Sequence, residues 1–312
     1  MGKYMNKKTI HTTLLILLIT TILVTVIDID TQQTPIILRY IGDVKGGDVF
    51  APHLYDIHFN GVNQYAVVGL QPDESGTPFT VYGWSEITIE ELMYPVWPKA
   101  STTWAHFSII GDPWIDYPSI RTITDTRTDY TYLRVMWSVR TQDGVRKDYF
   151  CDIVAYRNSW VHAVRRFTSA REFSVWVNGA RAYSASVPST EITVLEWNPA
   201  TATRPYRYQR FVLGANIDFG EWMTVRYGYV RIYSRALTAE EILWNFYYPD
   251  NPVRNGLVLW LHWDSIDTNA GKWYDRSGFG NHATLYNNPT REDVLLPPKR
   301  VLSPTRTLAP VR

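Results

Sequence analysis

The clearest pattern of hydrophobic and polar positions lies in the last third of the chain. Val230 and Ile232 stand two positions apart and share one face of an extended backbone, whereas Tyr229, Arg231 and Tyr233 share the other face. This period of two predicts a half-buried β-strand, with an apolar side turned to a core and a mixed side turned to solvent.

A short helix is predicted directly after this strand. Thr238 is a favourable N-cap because its hydroxyl can accept a hydrogen bond from the backbone amide of Glu241. The Glu241 carboxylate can reach back to the amide of Thr238, which completes a capping box. Pro249 and Pro252 then mark the end of the element.

Alternating apolar segments joined by turn-forming residues predict hairpins elsewhere in the chain. One hairpin is predicted from residues 130–139 and 147–155, which flank a turn at Asp143-Gly144. A strand over residues 173–178 leads into a second tight turn at Asn178-Gly179. Residues 87–93 are interpreted as a helical turn.

Composition points to the same fold class and excludes some functions. Aromatic residues make up 14% of the 312 residues, and with frequent Val, Ile and Thr they favour strands. The net charge is +1 with mixed signs throughout, so a nucleic-acid partner is not expected. The single cysteine, Cys151, cannot form an intramolecular disulfide.

The N-terminal region carries a membrane signal. Residues 9–27 contain no charged side chain when the histidine is neutral, and lysines precede them while Asp28 follows. Their length is near the roughly 20 residues that span a bilayer, and the lysines should stay on the cytoplasmic side. No Ala-x-Ala cleavage site lies near Asp28, which favours a permanent anchor over a cleaved signal peptide. The body of the protein would then be extracellular or lie on a virion surface.

Several short motifs together resemble the laminin G-like jelly-roll domains of the concanavalin A-like lectin and glucanase superfamily. They are Phe-Asn-Gly-Val-Asn-Gln-Tyr-Ala-Val (residues 59–67), Phe-Thr-Val-Tyr-Gly-Trp (79–84), Trp-Val-His-Ala-Val (160–164), Phe-Ser-Val-Trp-Val-Asn-Gly (173–179), residues 209–216, Val-Arg-Ile-Tyr-Ser-Arg-Ala-Leu-Thr-Ala-Glu-Glu-Ile (230–242), and Gly-Leu-Val-Leu-Trp-Leu-His-Trp-Asp (256–264) with residues 273–283. The resemblance implies an all-β, antiparallel jelly-roll β-sandwich with one short helix near its C-terminal end, and a strand over residues 79–84.

The order of these motifs departs from the family. The motif at 256–283 normally comes first, but here it follows the closing motif, so we expect a circular permutation in which residues 257–263 form a central, covered strand. The alternative is the start of a second, truncated unit. The predicted layout is an anchor over residues 1–30, a sandwich over 31–290 and a Pro-rich basic tail over 291–312.

A proline-framed loop is the candidate glycan-binding site. Indole rings can offer an apolar face to a sugar ring and an N–H group to its hydroxyls. The alternative is that these rings cover one end of the sandwich as part of its core. The candidate residues are Trp97, Trp104, Trp114 and Tyr117.

Catalytic and metal-binding patterns are sparse. Laminarinase-type enzymes of this superfamily carry Glu-x-Asp-x-x-Glu, but the nearest segment here, Glu191 to Glu196, has Thr193 in place of the aspartate. No cofactor is expected, although oxygen ligands for a calcium ion are available. These ligands are Asp264, Asp275 and Asn281, for which a hydrogen-bonded turn is the alternative role.

The sequence therefore predicts a non-catalytic, membrane-anchored extracellular binding module that recognises glycans or glycoproteins in adhesion. Two alternatives stay open: a structural or spike protein of an archaeal virus or cell surface, and a laminarinase-type glycosidase. The first alternative is motivated by the excess of Arg over Lys, the absence of disulfides and the basic tail.

Overall fold

The computed structural model describes residues 55–96, 105–124, 132–154 and 160–293. The predicted anchor at residues 9–27 and nearly all of the predicted tail lie outside these ranges. Within the described ranges, no helix has both the length and the apolar character needed to cross a membrane.

The described chain is dominated by antiparallel strands and contains one α-helix. The strands are β1 (Tyr55–Asn60), β2 (Tyr65–Gly69), β3 (Ile87–Pro95), β4 (Ala105–Gly111), β5 (Ser119–Thr124), β6 (Tyr132–Arg140), β7 (Arg146–Val154), β8 (Val161–Phe167), β9 (Glu172–Val177), β10 (Ala180–Ser186), β11 (Arg210–Leu213), β12 (Thr224–Tyr233), β13 (Leu257–Asp267), β14 (Lys272–Asp275), β15 (Ala283–Tyr286) and β16 (Thr290–Asp293). The helix α1 is Ala239–Tyr247, and 3-10 turns lie at Pro199–Thr201 and Pro205–Tyr208.

The strands form two layers that are continuous through one hydrogen-bonded path. The first layer has the order β10-β9-β8-β3-β12-β13, with β1 paired to β12 and β16 paired to β1, and the second has the order β14-β15-β2-β11-β4-β5-β6-β7. Their inner faces share one apolar cluster. Trp137 of β6 stacks on Phe167 of β8 with ring centroids 4.7 Å apart, which joins the layers near one edge.

Strand β13 is central, as the sequence predicts for residues 257–263. It pairs with β12 on one side and with β14 on the other. Leu259 and Leu261 are fully buried in the shared core. The alternative in which this segment stays unpaired as the start of a second unit is therefore wrong.

The predicted local signals at α1 and at the tight hairpin are confirmed. The amide of Glu241 donates to Thr238 Oγ1 at 3.2 Å, and the amide of Thr238 donates to Glu241 Oε2 at 2.9 Å. Asn178 and Gly179 both have positive φ, 50° and 80°, which is the conformation that a tight two-residue turn requires. This turn joins β9 to β10.

Two predicted elements are wrong. Residues 87–93 are not a helical turn but part of strand β3, because pairing with both β12 and β8 overrides the local preference. Residues 79–84 are not a strand. Phe79 and Val81 nevertheless bury their side chains in the core. The alternation of apolar residues in this segment therefore indicates which side chains are buried, although the segment is not part of a sheet.

Strand β12 is not half-buried as its alternation suggests. Tyr229, Arg231 and Tyr233, on the side predicted to face solvent, are fully buried. The cause is α1, whose residues Ile242 and Phe246 are buried against this outer face of the first layer. The helix that follows β12 thus covers the face that the strand pattern leaves polar.

Candidate functional site

The outer face of the second layer differs in chemistry from its inner face. In β6 the alternate residues Leu133, Val135 and Trp137 belong to the shared core. The intervening residues are Arg134, Met136 and Ser138, which lie on the outer face. Because neighbouring strands keep this register, the outer face of β4 to β7 collects polar and large side chains.

Strand pairing places five outer-face residues in one row. Val212 pairs with Ile109, and Ile109 pairs with Arg121. Arg121 pairs with Met136, and Met136 pairs with Phe150. The row is therefore apolar over β11 and β4, and it becomes charged and aromatic over β5 to β7.

A cavity of about 430 Å³ opens over the charged part of this row. Two of its aromatic side chains reach solvent, since Trp114 is 39% exposed and Phe150 is 41% exposed. Its lining residues are His106, Trp114, Arg121, Arg134, Met136, Arg146, Asp148, Phe150 and Glu221. The arrangement combines exposed ring faces with hydrogen-bond donors and acceptors, and we call it the outer-face pocket.

A buried arginine lies in this pocket. Arg121 Nη2 donates to Ser138 Oγ at 3.2 Å, and Ser138 Oγ donates to Asp148 Oδ1 at 2.6 Å. Asp148 also accepts an ion pair from Arg146 Nη2 at 3.2 Å and lies 3.7 Å from Arg121. Burial lowers the pKa of the Arg121 guanidinium to about 10, although the Asp148 carboxylate opposes this shift. The Asp148 carboxylate therefore lies close to the guanidinium groups of both Arg121 and Arg146.

The exposed ring of Phe150 is held by a neighbouring ion pair. Arg134 binds Asp152 in bidentate fashion, with Nε–Oδ1 at 2.6 Å and Nη2–Oδ2 at 2.8 Å. The same guanidinium carbon lies 4.3 Å from the Phe150 ring centroid, which fits a cation–π contact. Phe150 thus keeps a defined position despite its exposure.

The loop that carries Trp114 is fixed by buried charges. Asp112 accepts a hydrogen bond from the Trp114 amide at 2.9 Å and an ion pair from Arg207 Nη1 at 2.7 Å. The Arg207 guanidinium carbon lies 5.5 Å from the Trp114 ring. Arg146 Nη1 donates to the carbonyl of Pro113 at 2.9 Å, which ties the loop to β7. Because these groups fix the loop, the indole is held in a defined position.

The predicted glycan-binding residues do not all meet in one place. Trp114 lines the outer-face pocket. Tyr117 is half-buried, has a positive φ of 82°, and faces the Arg140 guanidinium at 5.7 Å instead of lining the pocket. Trp97 and Trp104 lie outside the described residues, so their placement stays a prediction.

Most of the pocket was missed by sequence reasoning. The residues it did not identify are His106, Arg121, Arg134, Met136, Arg146, Asp148, Phe150 and Glu221. A signal existed in β6, where apolar residues recur at every second position from Leu133 to Val139. That signal indicates an outer face distinct from the core, but it does not show which strands lie beside it.

The predicted calcium ligands have other partners. Arg276 Nη1 binds Asp264 Oδ2 at 2.6 Å. Asp275 accepts hydrogen bonds from the amides of Trp260 at 2.8 Å and Asn281 at 2.9 Å. It therefore stabilises a hydrogen-bonded turn, which is the alternative role predicted for these residues. Across the described ranges, no group of three His, Cys, Asp or Glu side chains is arranged to hold a metal ion. Calcium binding stays a prediction.

The two glutamates of the nearest glycosidase-like segment are engaged separately. Glu191 Oε1 lies 2.6 Å from Lys147 Nζ, and Glu191 Oε2 accepts from the Tyr149 hydroxyl at 2.6 Å. Glu196 binds Arg171 and the amide of Thr193. Neither carboxylate lines the pocket. This arrangement disfavours a paired-carboxylate hydrolase.

Comparison with known proteins supports the fold. No protein-family model and no curated protein matches the sequence. A solved structure from Bacteroides ovatus, titled a "putative carbohydrate binding protein", superposes with a TM-score of 0.54 at 17% identity over 78% of this chain. The chain spans 61% of the length of that protein. The fold is a jelly-roll-like β-sandwich.

Two further solved structures are similar at a lower level. A heptameric pentraxin from Limulus polyphemus has a TM-score of 0.41 at 13% identity, over 62% of this chain and 82% of its own. The binding domain of botulinum neurotoxin serotype D has a TM-score of 0.42 at 11% identity, over 61% of this chain and 42% of its own.

Proposed function

We propose that the described domain is a non-catalytic binding module whose outer-face pocket recognises a glycan or a glycoprotein. The observation that carries this proposal is the cavity of about 430 Å³ in which exposed aromatic rings lie beside charged groups. The solved structure from Bacteroides ovatus supports it through a shared fold only.

The chemistry of the pocket suits a sugar. The C–H face of a pyranose ring can pack on the exposed indole of Trp114 or on the ring of Phe150. Its hydroxyls can donate to the Asp148 carboxylate and accept from Arg146, in charge-assisted hydrogen bonds that are stronger than neutral ones. Arg207 keeps Trp114 in position, so little ordering is needed when the ligand binds.

Binding of the full chain to a glycan array tests this proposal. We expect specific signals that fall at least tenfold in Trp114→Ala and in Phe150→Ala, since each ring contributes about 1.4 kcal/mol or more of contact, which corresponds to a factor of ten. Phe279→Ala is the matched control, because this ring is 68% exposed and does not line the pocket. A blank array with folded protein, or equal loss in all three variants, would overturn the proposal. Trp97→Ala and Trp104→Ala test the remaining predicted platform.

We also propose that residues 9–27 anchor the module in a membrane with the domain outside the cell. The support is the charge-free apolar run behind basic residues. In membranes from expressing cells, the full chain should resist extraction at alkaline pH, whereas a chain lacking residues 9–27 should be released. Release of both forms would contradict an anchor.

We also propose that this chain is related to laminin G-like domains through a circular permutation. It is supported by the pairing of β13 with β12, which brings the motif at 256–283 beside the motif that precedes it in the chain. A rearranged chain in which residues 253–293 precede residue 55 should fold with native-like stability. Failure of this rearranged chain to fold would count against the permutation.

A further inference from the structure

Three guanidinium groups surround one buried indole on the first layer. Trp260 of β13 is 1% exposed and lies on the outer face beside its cross-strand partner Arg231. The guanidinium carbons of Arg254, Arg276 and Arg231 lie 4.2 Å, 4.9 Å and 5.8 Å from its ring centroid. Arg254 and Arg276 are exposed, whereas Arg231 is buried.

The three guanidinium groups are not equally neutralised. Arg231 Nη1 lies 3.3 Å from Glu90 Oε2, and its Nη2 donates to the carbonyl of Pro249. Arg276 directs only Nη1 to Asp264, so its Nε and Nη2 donors make no hydrogen bond with the described residues. The Arg254 side chain has no hydrogen bond or ion pair with any described residue.

The surroundings of Arg254 are positively charged. Burial lowers the pKa of Arg254, and the charges of Arg276 and Arg231 lower it further. The acidic groups nearby have other partners. Asp264 binds Arg276 and Glu90 binds Arg231. Asp250 lies 3.2 Å from His262 Nε2, and Asp275 accepts hydrogen bonds within its turn. Arg254 and Arg276 thus contact the same ring, but only Arg276 has a carboxylate partner among the described residues.

We propose that Arg254 and Arg276 form a binding site for an oxyanion, namely the phosphate, sulfate or carboxylate group of a ligand. Each guanidinium carbon lies over the Trp260 ring, and the N–H groups without a partner among the described residues can bind pairs of oxygens in bidentate fashion. A bound oxyanion also removes the repulsion between the like charges. The site shares no residue with the outer-face pocket and does not depend on its function.

Calorimetric titration of the full chain with inorganic phosphate at constant ionic strength tests the site. We expect saturable binding that weakens at least tenfold in Arg254→Gln, and an intermediate loss in Arg254→Lys because an ammonium group lacks the planar fork. Arg291→Gln is the matched control, since Arg291 is also exposed and stacks on an aromatic ring, Tyr55, at 3.7 Å. This control should bind phosphate like the unchanged chain.

Comparison of sugar ligands then identifies the source of the oxyanion. Glucose 6-phosphate, glucose 6-sulfate and glucuronate are titrated in parallel with neutral glucose, and the variants are checked for folding by circular dichroism. Binding of one or more charged sugars that is lost in folded Arg254→Gln supports the proposal. Absence of binding by the unchanged chain to every oxyanion, or equal binding by Arg254→Gln, overturns it. Binding of glucose as tightly as the charged sugars also overturns it.

Discussion

The outer faces of the two layers both carry a buried arginine, but only one of these faces is covered. On the first layer, Arg231 lies beneath α1 and contacts Glu90, which also accepts hydrogen bonds from Asn245 at 3.0 and 3.1 Å. On the second layer, Arg121 lies in the outer-face pocket and shares Asp148 with Arg146. Similar residue types therefore pack beneath a helix on one face and line an open pocket on the other.

The difference comes from the element that succeeds each strand along the chain. Strand β12 runs into a capped helix that folds back over it, so the polar residues of its outer face are enclosed with one another. Strand β6 runs into the hairpin with β7, which extends the layer and leaves its outer face open. Both strands thus show the same alternation of apolar and polar residues. The element that follows each strand in the chain determines whether its outer face is covered.

Removal of the chain beyond Pro252 should produce the largest effect. This truncation deletes β13, which pairs with the covered face at β12 and connects the two layers through β14. We expect an unfolded protein by circular dichroism and by proton NMR dispersion. A stable, folded truncated protein would show that the two faces do not depend on their connection.

Loss of the buried acid on the covered face should be the next largest effect. Glu90→Gln leaves Arg231 charged and buried without a full counter-charge, which typically costs about 3 kcal/mol or more. Urea unfolding measures this change in free energy. Glu172→Gln is the control, because its pairs with Arg166 and Arg181 are partly exposed and should contribute less than about 1 kcal/mol. Equal costs for both variants would contradict a closed charge pair beneath α1.

The covered face should also make the protein sensitive to acid. Burial lowers the pKa of His162 from 6.5 to about 3, and the Arg231 charge adds to this shift. The unfolded chain therefore binds a proton that the folded chain does not, so stability falls as the pH decreases from 6.5 towards 3.

His162→Phe should reduce that slope by up to about 1.4 kcal/mol per pH unit, while the ring contact with Phe246 is kept. Unfolding free energies measured between pH 7 and pH 4 provide the test. An unchanged slope in the variant would mean that His162 already binds a proton in the folded protein.

The sequence predicts local structure better than it predicts the site. The capping box of Thr238 and Glu241 and the turn at Asn178-Gly179 depend on neighbouring residues, and both are confirmed. The outer-face pocket depends on register between strands: Arg121, Met136 and Phe150 come from three strands and meet only through pairing. Of the predicted glycan-binding residues that the structure describes, Trp114 alone reaches this pocket.

The prediction for β12 is wrong for a similar reason, because it also depends on contacts between distant parts of the chain. Alternation around Arg231 is typical of a half-buried strand, and nothing within the strand shows that α1 folds over it. Residues 87–93 are likewise predicted as a helical turn, since their two strand partners, β12 and β8, lie far away in the chain and cannot be identified from the segment itself. Tertiary contacts decided both cases.

The most direct test compares one variant from each face by two measurements. Trp114→Ala removes an exposed ring from the open face, and Thr238→Ala removes the cap of the helix that covers the other face at a cost of about 1 kcal/mol. For the glycan with the strongest array signal, affinity and unfolding free energy are measured on both full-length variants. We predict that Trp114→Ala loses at least tenfold in affinity while remaining folded, and that Thr238→Ala loses stability with unchanged affinity. Equal effects of the two variants on affinity would contradict the assignment of binding to the open face.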